Sequence, residues 1–462
     1  MPTFDAVVVG AGPAGSVAAL VLARSGARVA LIDRRRFPRD KACGDLIGPR
    51  GVRLLEDLGL SVPDARHLGD MIVVGPSGRR SLLPALPGAD YADHAIAVGR
   101  SRFDAMLYDA AVSAGAHPIH GRVTSVHLDP SASVGVGLSG GSAAGRGASS
   151  DDSSTRTEFV AGDVVIGADG ANSQVASLAG LVDGATALWG FALRSYLEGE
   201  VDLPYIVLWE PQAWRLFPGY GWAFPTDGGG ANVGLGLAFS AADRAASRQA
   251  GEQLGAFVEH LARLGLPLRQ AVDRTPNSLG GWLKMGMVGT NPTAGRVLLV
   301  GDAAGMINPL QGEGIAQAMA TGQAAASAVI AAGPDGAADH YRQFLRTSSH
   351  HHRLNAAVHA AIVAHPRAVS LAGRALTAPG VRTAMSGAWG LYWNDLVSGA
   401  LPSRHRTLAT AMSRVVAAAV ARRPATAWFT AQLGTRAPRI RDRPAAPTPH
   451  HHSTERRTDE RS

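Results

Sequence analysis

The sequence predicts an α/β chain: a Rossmann-like domain first, an antiparallel-sheet α+β domain second, and a helical C-terminal region. Three observations predict it. Asp5 to Val9 is a Val-rich apolar run of the kind that forms a buried parallel strand. Gly10, Gly12 and Gly15 follow it in Gly-x-Gly-x-x-Gly spacing, and an Ala/Leu/Val-rich stretch follows them. Two later apolar runs, Val165-Ile166 and Leu298-Leu299-Val300, each end in a Gly/Asp turn, Gly167-Ala168-Asp169-Gly170 and Gly301-Asp302-Ala303-Ala304-Gly305.

The first glycine permits a tight turn, the second lets backbone approach a pyrophosphate, and the third lets the next helix pack close. Pro13 and Ala14 sit inside that loop. Ser16 to Ser25 is helical, Gly26 ends it, and Ala27 to Ile32 is a strand closed by Asp33. Asp33 stands about 20 residues past the glycines, where a carboxylate reaches an adenosine ribose, with Arg34 beside it. Strand, glycines, helix, strand and acid in that order point to a bound dinucleotide.

Met71 to Val74 and then Gly75-Pro76-Ser77-Gly78 read as strand and turn. Arg100-Ser101-Arg102-Phe103-Asp104 opens a helix to about Ser113, Gly115 stops it, and His117 to Leu128 is strand-like. Asp129 to Arg156 is Ser/Gly/Ala-rich and reads as a flexible hairpin insertion. Thr157 to Ile166 returns as strand. From Thr186 to Trp282 the texture changes: Trp189, Trp209, Trp214, Trp222 and Trp282, five of the eight tryptophans, fall there. Alternation dominates, with a helix from about Ala241 to Leu264. Arg296 to Val300 is a buried strand and Ile315 to Ala332 a helix of small residues. Tyr341 to Arg436 is helical, broken at Pro366, Pro379 and Pro402, and Ala437 to Ser462 reads as disordered. The expected organisation is a cofactor domain of 1–185 with 286–345, carrying the insertion 129–156. A substrate-binding sheet domain of 186–285, a helical region of 346–436 and a tail of 437–462 complete it.

The 46% apolar content is that of a globular protein. A net charge of +7 suits nucleic acid, an anionic membrane or anionic substrates. Much of the excess is local, in Arg34-Arg35-Arg36 and after Ser403, and neither an aromatic-plus-basic RNA motif nor a helix-turn-helix pattern is present. Nucleic acid is therefore not an expected partner. The single cysteine, Cys43, permits no intramolecular disulfide. A strand so near Met1 leaves no room for a signal peptide, and no run of about 18 uncharged, large apolar residues reads as a membrane span. A cytoplasmic monomer is expected. Leu408 to Arg423 alternates small apolar residues with Arg414, Arg422 and Arg423. An amphipathic helix on the inner face of the plasma membrane and a plain packing helix both fit it. Adjacent histidines do not converge on one ion, so His350-His351-His352 and His450-His451-His452 give no expected metal site.

The three Gly/Asp segments together specify FAD. The Asp302 carboxylate, between a buried strand and a small-residue helix, can accept hydrogen bonds from ribityl hydroxyls. Pro309 fixes the turn before Gly312 and Gly314. Their N–H groups, near a helix start, can stabilise negative charge on a reduced flavin.

Over roughly residues 3 to 345 the chain resembles the FAD-dependent para-hydroxybenzoate-hydroxylase superfamily. Within it, the likeness is to the geranylgeranyl reductases, flavoenzymes that reduce isoprenoid double bonds. Gly10 to Ser16 matches Gly-x-Gly-Pro-Ala-Gly-Ser. Lys41-Ala42-Cys43-Gly44 matches a Lys-x-Cys-Gly element, which implies that Cys43 and Gly44 stand near flavin and substrate. Tyr220-Gly221-Trp222-Ala223-Phe224-Pro225, then eight residues, then Gly234-Leu235-Gly236 matches the reductases' substrate-cavity signature. That match discriminates, because the others are shared more widely. Gly301 to Gly314 matches the long Gly-Asp motif. Arg100 heads Arg-x-x-Phe-Asp, which in the superfamily sets an arginine against the FAD. Asp169-Gly170 resembles a motif that contacts FAD and the nicotinamide donor, but Gln174-Val175-Ala176 lacks the family's following arginine.

Tyr220, Trp222 and Phe224 alternate, so they project from one face of a strand. An isoprenoid tail carries no charge, so apolar and aromatic walls must recognise it. Ordinary sheet packing gives the same stripe. Cys43 has three readings: a buried filler, a proton donor or substrate contact beside the flavin, or a redox-reactive thiol. The resemblance implies the second and makes Cys43 the catalytic candidate. The implied activity is hydride transfer from reduced FAD to one alkene carbon of a geranylgeranyl or menaquinone-type chain, with a proton added at the other. No second nucleotide-binding βαβ is evident, so transiently bound NADPH or reduced ferredoxin is the expected donor. Three rivals stand beside this. One is an FAD/NADPH-dependent monooxygenase of aromatic or polyketide substrates. Another is a flavin halogenase, whose Trp-x-Trp-x-Ile-Pro element is absent at Tyr220–Pro225. The third is a non-catalytic flavin or lipid binder.

Overall fold

The computed structural model describes residues 4–83, 92–128, 134–139, 158–184, 186–208, 219–239, 250–270, 278–309 and 312–364, with Arg374 and Ala378. Several expectations fall outside them. These are most of the insertion, Trp209 and Trp214, the start of the 241–264 helix, the helical region beyond 364, Leu408 to Arg423, and the tail with its histidines.

The chain opens with β1 (Phe4–Val9), α1 (Pro13–Arg24), β2 (Val29–Asp33), β3 (Leu46–Ile47), α2 (Pro49–Asp57) and β4 (Arg66–Leu68). Next come β5 (Met71–Val74), β6 (Arg80–Leu83), β7 (Ala95–Ala97), α3 (Arg100–Ser113), β8 (His117–His120) and β9 (Arg122–Leu128). Then follow β10 (Val134–Ser139), β11 (Glu158–Gly167), α4 (Gln174–Leu178), β12 (Leu188–Leu197), β13 (Tyr205–Val207) and β14 (Gly219–Pro225). The last are β15 (Ala231–Phe239), α5 (Ala250–Arg263), β16 (Leu279–Met285), β17 (Thr293–Ala294), β18 (Val297–Leu299) and α6 (Ile315–Ala364).

The first sheet runs β17-β18-β11-β1-β2-β8. Its central strands β18, β11, β1, β2 and β8 are parallel. Both faces are covered, so Val7, Val8, Leu31, Val165, Ile166 and Leu298 are all buried. Each such side chain contributes roughly 1.5–3 kcal/mol on burial. α1 can lie close because its inner residues are small. Where α6 crosses it, a Cβ on Gly322 would stand 2.1 Å from the Ala14 carbonyl oxygen. Val134–Ser139, expected inside a flexible insertion, is instead a strand paired antiparallel with both β9 and β11. Its Val134, Val136 and Leu138 are buried, and that apolar alternation drives the pairing.

The second sheet has the order β16-β12-β15-β14-β13-β5-β6. It is antiparallel except where β13 meets β5. β5 and β6 come from the N-terminal part of the chain, so this sheet is wider than the 186–285 segment alone. α5 covers one face with Leu254, Phe257 and Leu261. The helix expected over Ile315–Ala332 is present: within the helical run Ile315–Ala364, non-helical Gly333 (φ 64°) and Pro334 interrupt it directly after Ala332 and separate it from a second helix. Among the described residues Ile315–Arg346 is the one helix long and apolar enough to cross a membrane, and most of its apolar window is buried inside the protein.

Candidate functional site

Four sequence-predicted positions meet at one edge of the first sheet. Gly10 follows β1, Asp33 ends β2, Asp169 follows β11 and Gly301 follows β18. These are the carboxyl ends of adjacent parallel strands, where open α/β sheets bind ligands. α1 starts there with no side-chain cap: Gly12 is its N-cap and Pro13 its first residue. Its unsatisfied N–H groups and positive dipole end form an anion cradle.

The glycines divide by job. A Cβ on Gly15 would lie 1.7 Å from the Gly10 carbonyl oxygen, and one on Gly10 (φ +98°) 2.4 Å from the Ala168 carbonyl oxygen. Both bring backbone against backbone. A Cβ on Gly12 would meet only Arg39 Nη2, at 3.6 Å, so its missing side chain leaves room for a ligand. These residues fit a dinucleotide pyrophosphate. Asp33 accepts the Ala11 and Arg35 N–H groups, both at 2.8 Å. Arg39 links it to Asp104, lying 3.7 Å from Asp33 and 3.0 Å from Asp104. Asp104 also takes the buried Arg100 in a fork at 2.8 and 2.9 Å. Arg34 is exposed.

Asp302 lies in a 3-10 turn, Gly301–Ala304, and pairs with Lys41 Nζ at 2.9 Å. A Cβ on Gly314 would come 3.6 Å from Asp302 Oδ1, so the start of α6 and this carboxylate face one space. Pro309 is buried beneath that loop, 3.0 Å from where a Gly286 Cβ would stand. Asp169 has a different occupation. Its carboxylate accepts the Gln174 and Val175 N–H groups at 2.6 and 3.2 Å and the Ser173 hydroxyl, holding the start of α4. Burial raises its pKa. Gly170 (φ +84°) beside it opens onto empty space.

Lys41 brings the Cys43 loop to Asp302. Burial raises the pKa of the half-buried Cys43 thiol, against the pull of the Arg100 guanidinium that faces it. The thiol is therefore neutral near pH 7. On the other side of this loop stands the aromatic stripe. Tyr220, Trp222 and Phe224 share one face of β14, with successive ring centroids 6.2 Å apart. A Cβ on Gly44 would come 2.9 Å from the Phe224 ring and 3.5 Å from Trp222 Nε1. Gly234 is the floor under Trp222, since a Cβ there would be 2.2 Å from the indole, and Gly236 continues it at 3.8 Å. The Tyr220 hydroxyl reaches the turn before α6, 2.7 Å from where a Gly312 Cβ would stand. Pro225 is buried at the end of the stripe.

Residues 3–207 match the FAD binding domain family. The chain is 33% identical over 347 residues to the menaquinone reductase of Mycolicibacterium smegmatis, covering 71% of this chain and 77% of that protein. It is 31% identical over 330 residues to digeranylgeranylglycerophospholipid reductase 2 of Methanopyrus kandleri, covering 70% of this chain and 76% of that protein. The chain belongs to the geranylgeranyl reductase family of FAD-dependent oxidoreductases. A geranylgeranyl bacteriochlorophyll reductase-like protein from Thermoplasma acidophilum shares the fold, with a TM-score of 0.63, 20% identity, and coverage of 94% of this chain and 100% of that one. A flavin-dependent brominase has a TM-score of 0.62 at 19% identity, covering 89% of this chain and 100% of that one, so the fold alone does not choose the chemistry.

In this family member several site residues were not legible in the motifs. Lys284 on β16 is 1% exposed, and burial lowers its pKa to about 8 while Asp169 and Asp302 oppose the shift. Buried Arg194 pairs with Asp40 and stacks 4.2 Å over Tyr196. Asp45, Tyr196 and Asn232 form a polar group next to the Cys43 loop. Their partners lie far apart in sequence, so spacing alone could not join them. A polar residue at a buried strand position was the available signal.

Proposed function

We propose that this oxidoreductase saturates carbon–carbon double bonds of an isoprenoid chain, of geranylgeranyl or menaquinone type. The observation that carries the reading is the aromatic stripe of Tyr220, Trp222 and Phe224 set against the Cys43-Gly44 loop. It is an apolar wall beside the cradle that fits the cofactor. The names of the relatives support the same substrate class.

Reduced FAD, when bound, supplies the hydride to one alkene carbon, and a proton completes the other. The chain's part is to align and enclose. The N-terminus of α1 and Gly12 receive the pyrophosphate, Asp33 the ribose and Asp302 the ribityl hydroxyls. Arg100 and the backbone before α6, at Gly312 and Gly314, would hold the flavin end of the cofactor. Asp169-Gly170, after β11, sits between the Gly10 and Gly301 turns of this cradle. The stripe holds the polyene and excludes water, with Pro225, Gly234 and Gly236 shaping its floor. Cys43 is the proposed catalytic residue, a neutral thiol beside the reacting double bond. The proposed electron donor is NADPH bound in passing, or reduced ferredoxin. The proposed setting is the cytoplasm, at the inner face of the plasma membrane if Leu408 to Arg423, with its arginines, forms an amphipathic helix rather than a plain packing helix.

The test is anaerobic incubation of the chemically reduced, FAD-loaded protein with geranylgeranyl diphosphate or menaquinone. Products heavier by pairs of hydrogens support the reading. An oxygen atom added to an aromatic substrate in air with NADPH, and no hydrogen gain without air, replaces it with a monooxygenase.

A further inference from the structure

Asn232 lies on β15 between Ala231 and Val233, with no exposed surface. Its Nδ2 donates to the Cys43 carbonyl oxygen at 2.8 Å and to Asp45 Oδ2 at 2.8 Å. Its Oδ1 accepts the Trp222 indole N–H at 2.9 Å. Both amide hydrogens and the oxygen are thus used. The partners come from two separate pieces of the molecule, the 41–45 loop and β14, and Asn232 joins them from a third. A buried amide kept only as filler costs free energy that a leucine of the same shape does not.

We propose that Asn232 is a positioning residue that ties the Cys43 loop to the aromatic wall and holds thiol and indole at one spacing. The loop has little other freedom to compensate. Asp45 is buried in left-handed backbone (φ 60°) and takes the Tyr196 hydroxyl at 2.5 Å on the same oxygen that Asn232 reaches. Its carbonyl accepts the Val98 N–H at 3.0 Å. Trp222 is pressed between the Gly234 floor and Gly44. Removal of the amide therefore deletes the one tie shared by the Cys43 carbonyl and the Trp222 indole, and loosens the Cys43 end of the loop while Asp45 stays held.

Cys43 is the chain's single cysteine, so alkylation by iodoacetamide reads one site. The groups that face its thiol are Arg100, Asp45 and Tyr220. The experiment uses the full FAD-loaded chain without substrate and follows alkylation against pH for wild type and Asn232→Leu. The proposal expects the variant's rate at pH 8 to rise at least about tenfold as the thiol becomes accessible. Its pH midpoint falls toward the ordinary cysteine value of about 8.5. Bound flavin absorbance and cooperative unfolding are retained. A folded variant with a rate within about twofold of wild type and the same midpoint overturns the proposal. If Asn232→Leu does not fold, hydrogen exchange of the wild type decides. Protection of the 40–48 peptide equal to that of β15 supports the tie, and exchange as fast as the 226–230 turn overturns it. Neither measurement needs a substrate, so its failure leaves the reductase reading standing, and the reverse holds too.

Discussion

Lys284 ordinarily titrates near 10.5, and burial on β16 brings it to about 8. Between those values the unfolded chain binds a proton that the folded chain does not, so stability rises with pH through that window. At neutral pH the buried ammonium therefore works against folding. Lys284→Met raises the unfolding free energy of the FAD-free protein at pH 7 by about 1–3 kcal/mol. The gain fades as pH approaches 10.5. Denaturant unfolding at several pH values checks this, and a less stable variant at pH 7 would contradict it. Cys43→Ala lowers alkene reduction at least about tenfold while FAD stays bound, measured by turnover and flavin absorbance. If turnover is unchanged, the role of Cys43 is wrong and the activity can still be right. Cys43 and Asp302 stood out in the sequence because each lies in a short motif. Lys41 and Asp302 are 261 residues apart, and nothing local announces that they pair. Asn232 hid inside the unspecified gap of the aromatic signature, marked only as a polar residue in an apolar strand.

Elements carry the glycine logic. Gly15 and Gly12 look alike in the motif, yet their surroundings set them apart. Gly15→Ala drives a methyl into the Gly10 carbonyl, which is backbone and cannot yield. It costs about 2 kcal/mol or more of stability even without FAD. Gly12→Ala has open space and ordinary backbone, so the FAD-free protein keeps its stability within about 0.5 kcal/mol. Its FAD affinity falls at least about tenfold, because the methyl stands where a pyrophosphate would approach. Unfolding curves and flavin titration of the two variants separate these effects. Gly234→Ala lifts the Trp222 ring off its floor and costs about 1–3 kcal/mol, read as a lower unfolding midpoint. The first βαβ unit and the alternation of β14 were plain in sequence, because period and turn residues are local signals. The pairing of β13 with β5 was not, since strand partners distant in the chain are chosen by tertiary packing. Val134–Ser139 was hidden by its own glycines and serine, which read as loop until β9 and β11 offer it partners.

At the scale of the molecule, the carboxyl edge of the parallel sheet meets the aromatic face of the antiparallel one. The first supplies a cradle of helix N-termini and carboxylates that fits FAD. The second supplies a wall that only an apolar ligand would favour, and the Cys43 loop lies between them. Fold class and cofactor could be read from the three Gly/Asp segments. The substrate class needed the aromatic signature, because halogenase and reductase share the fold. Anaerobic turnover of the reduced, FAD-loaded protein with geranylgeranyl diphosphate or menaquinone, read by mass spectrometry, tests the central claim most directly. Products that gain two hydrogens per double bond, with flavin reoxidised in step, are the predicted result. Flavin that stays reduced beside unchanged isoprenoid would contradict it.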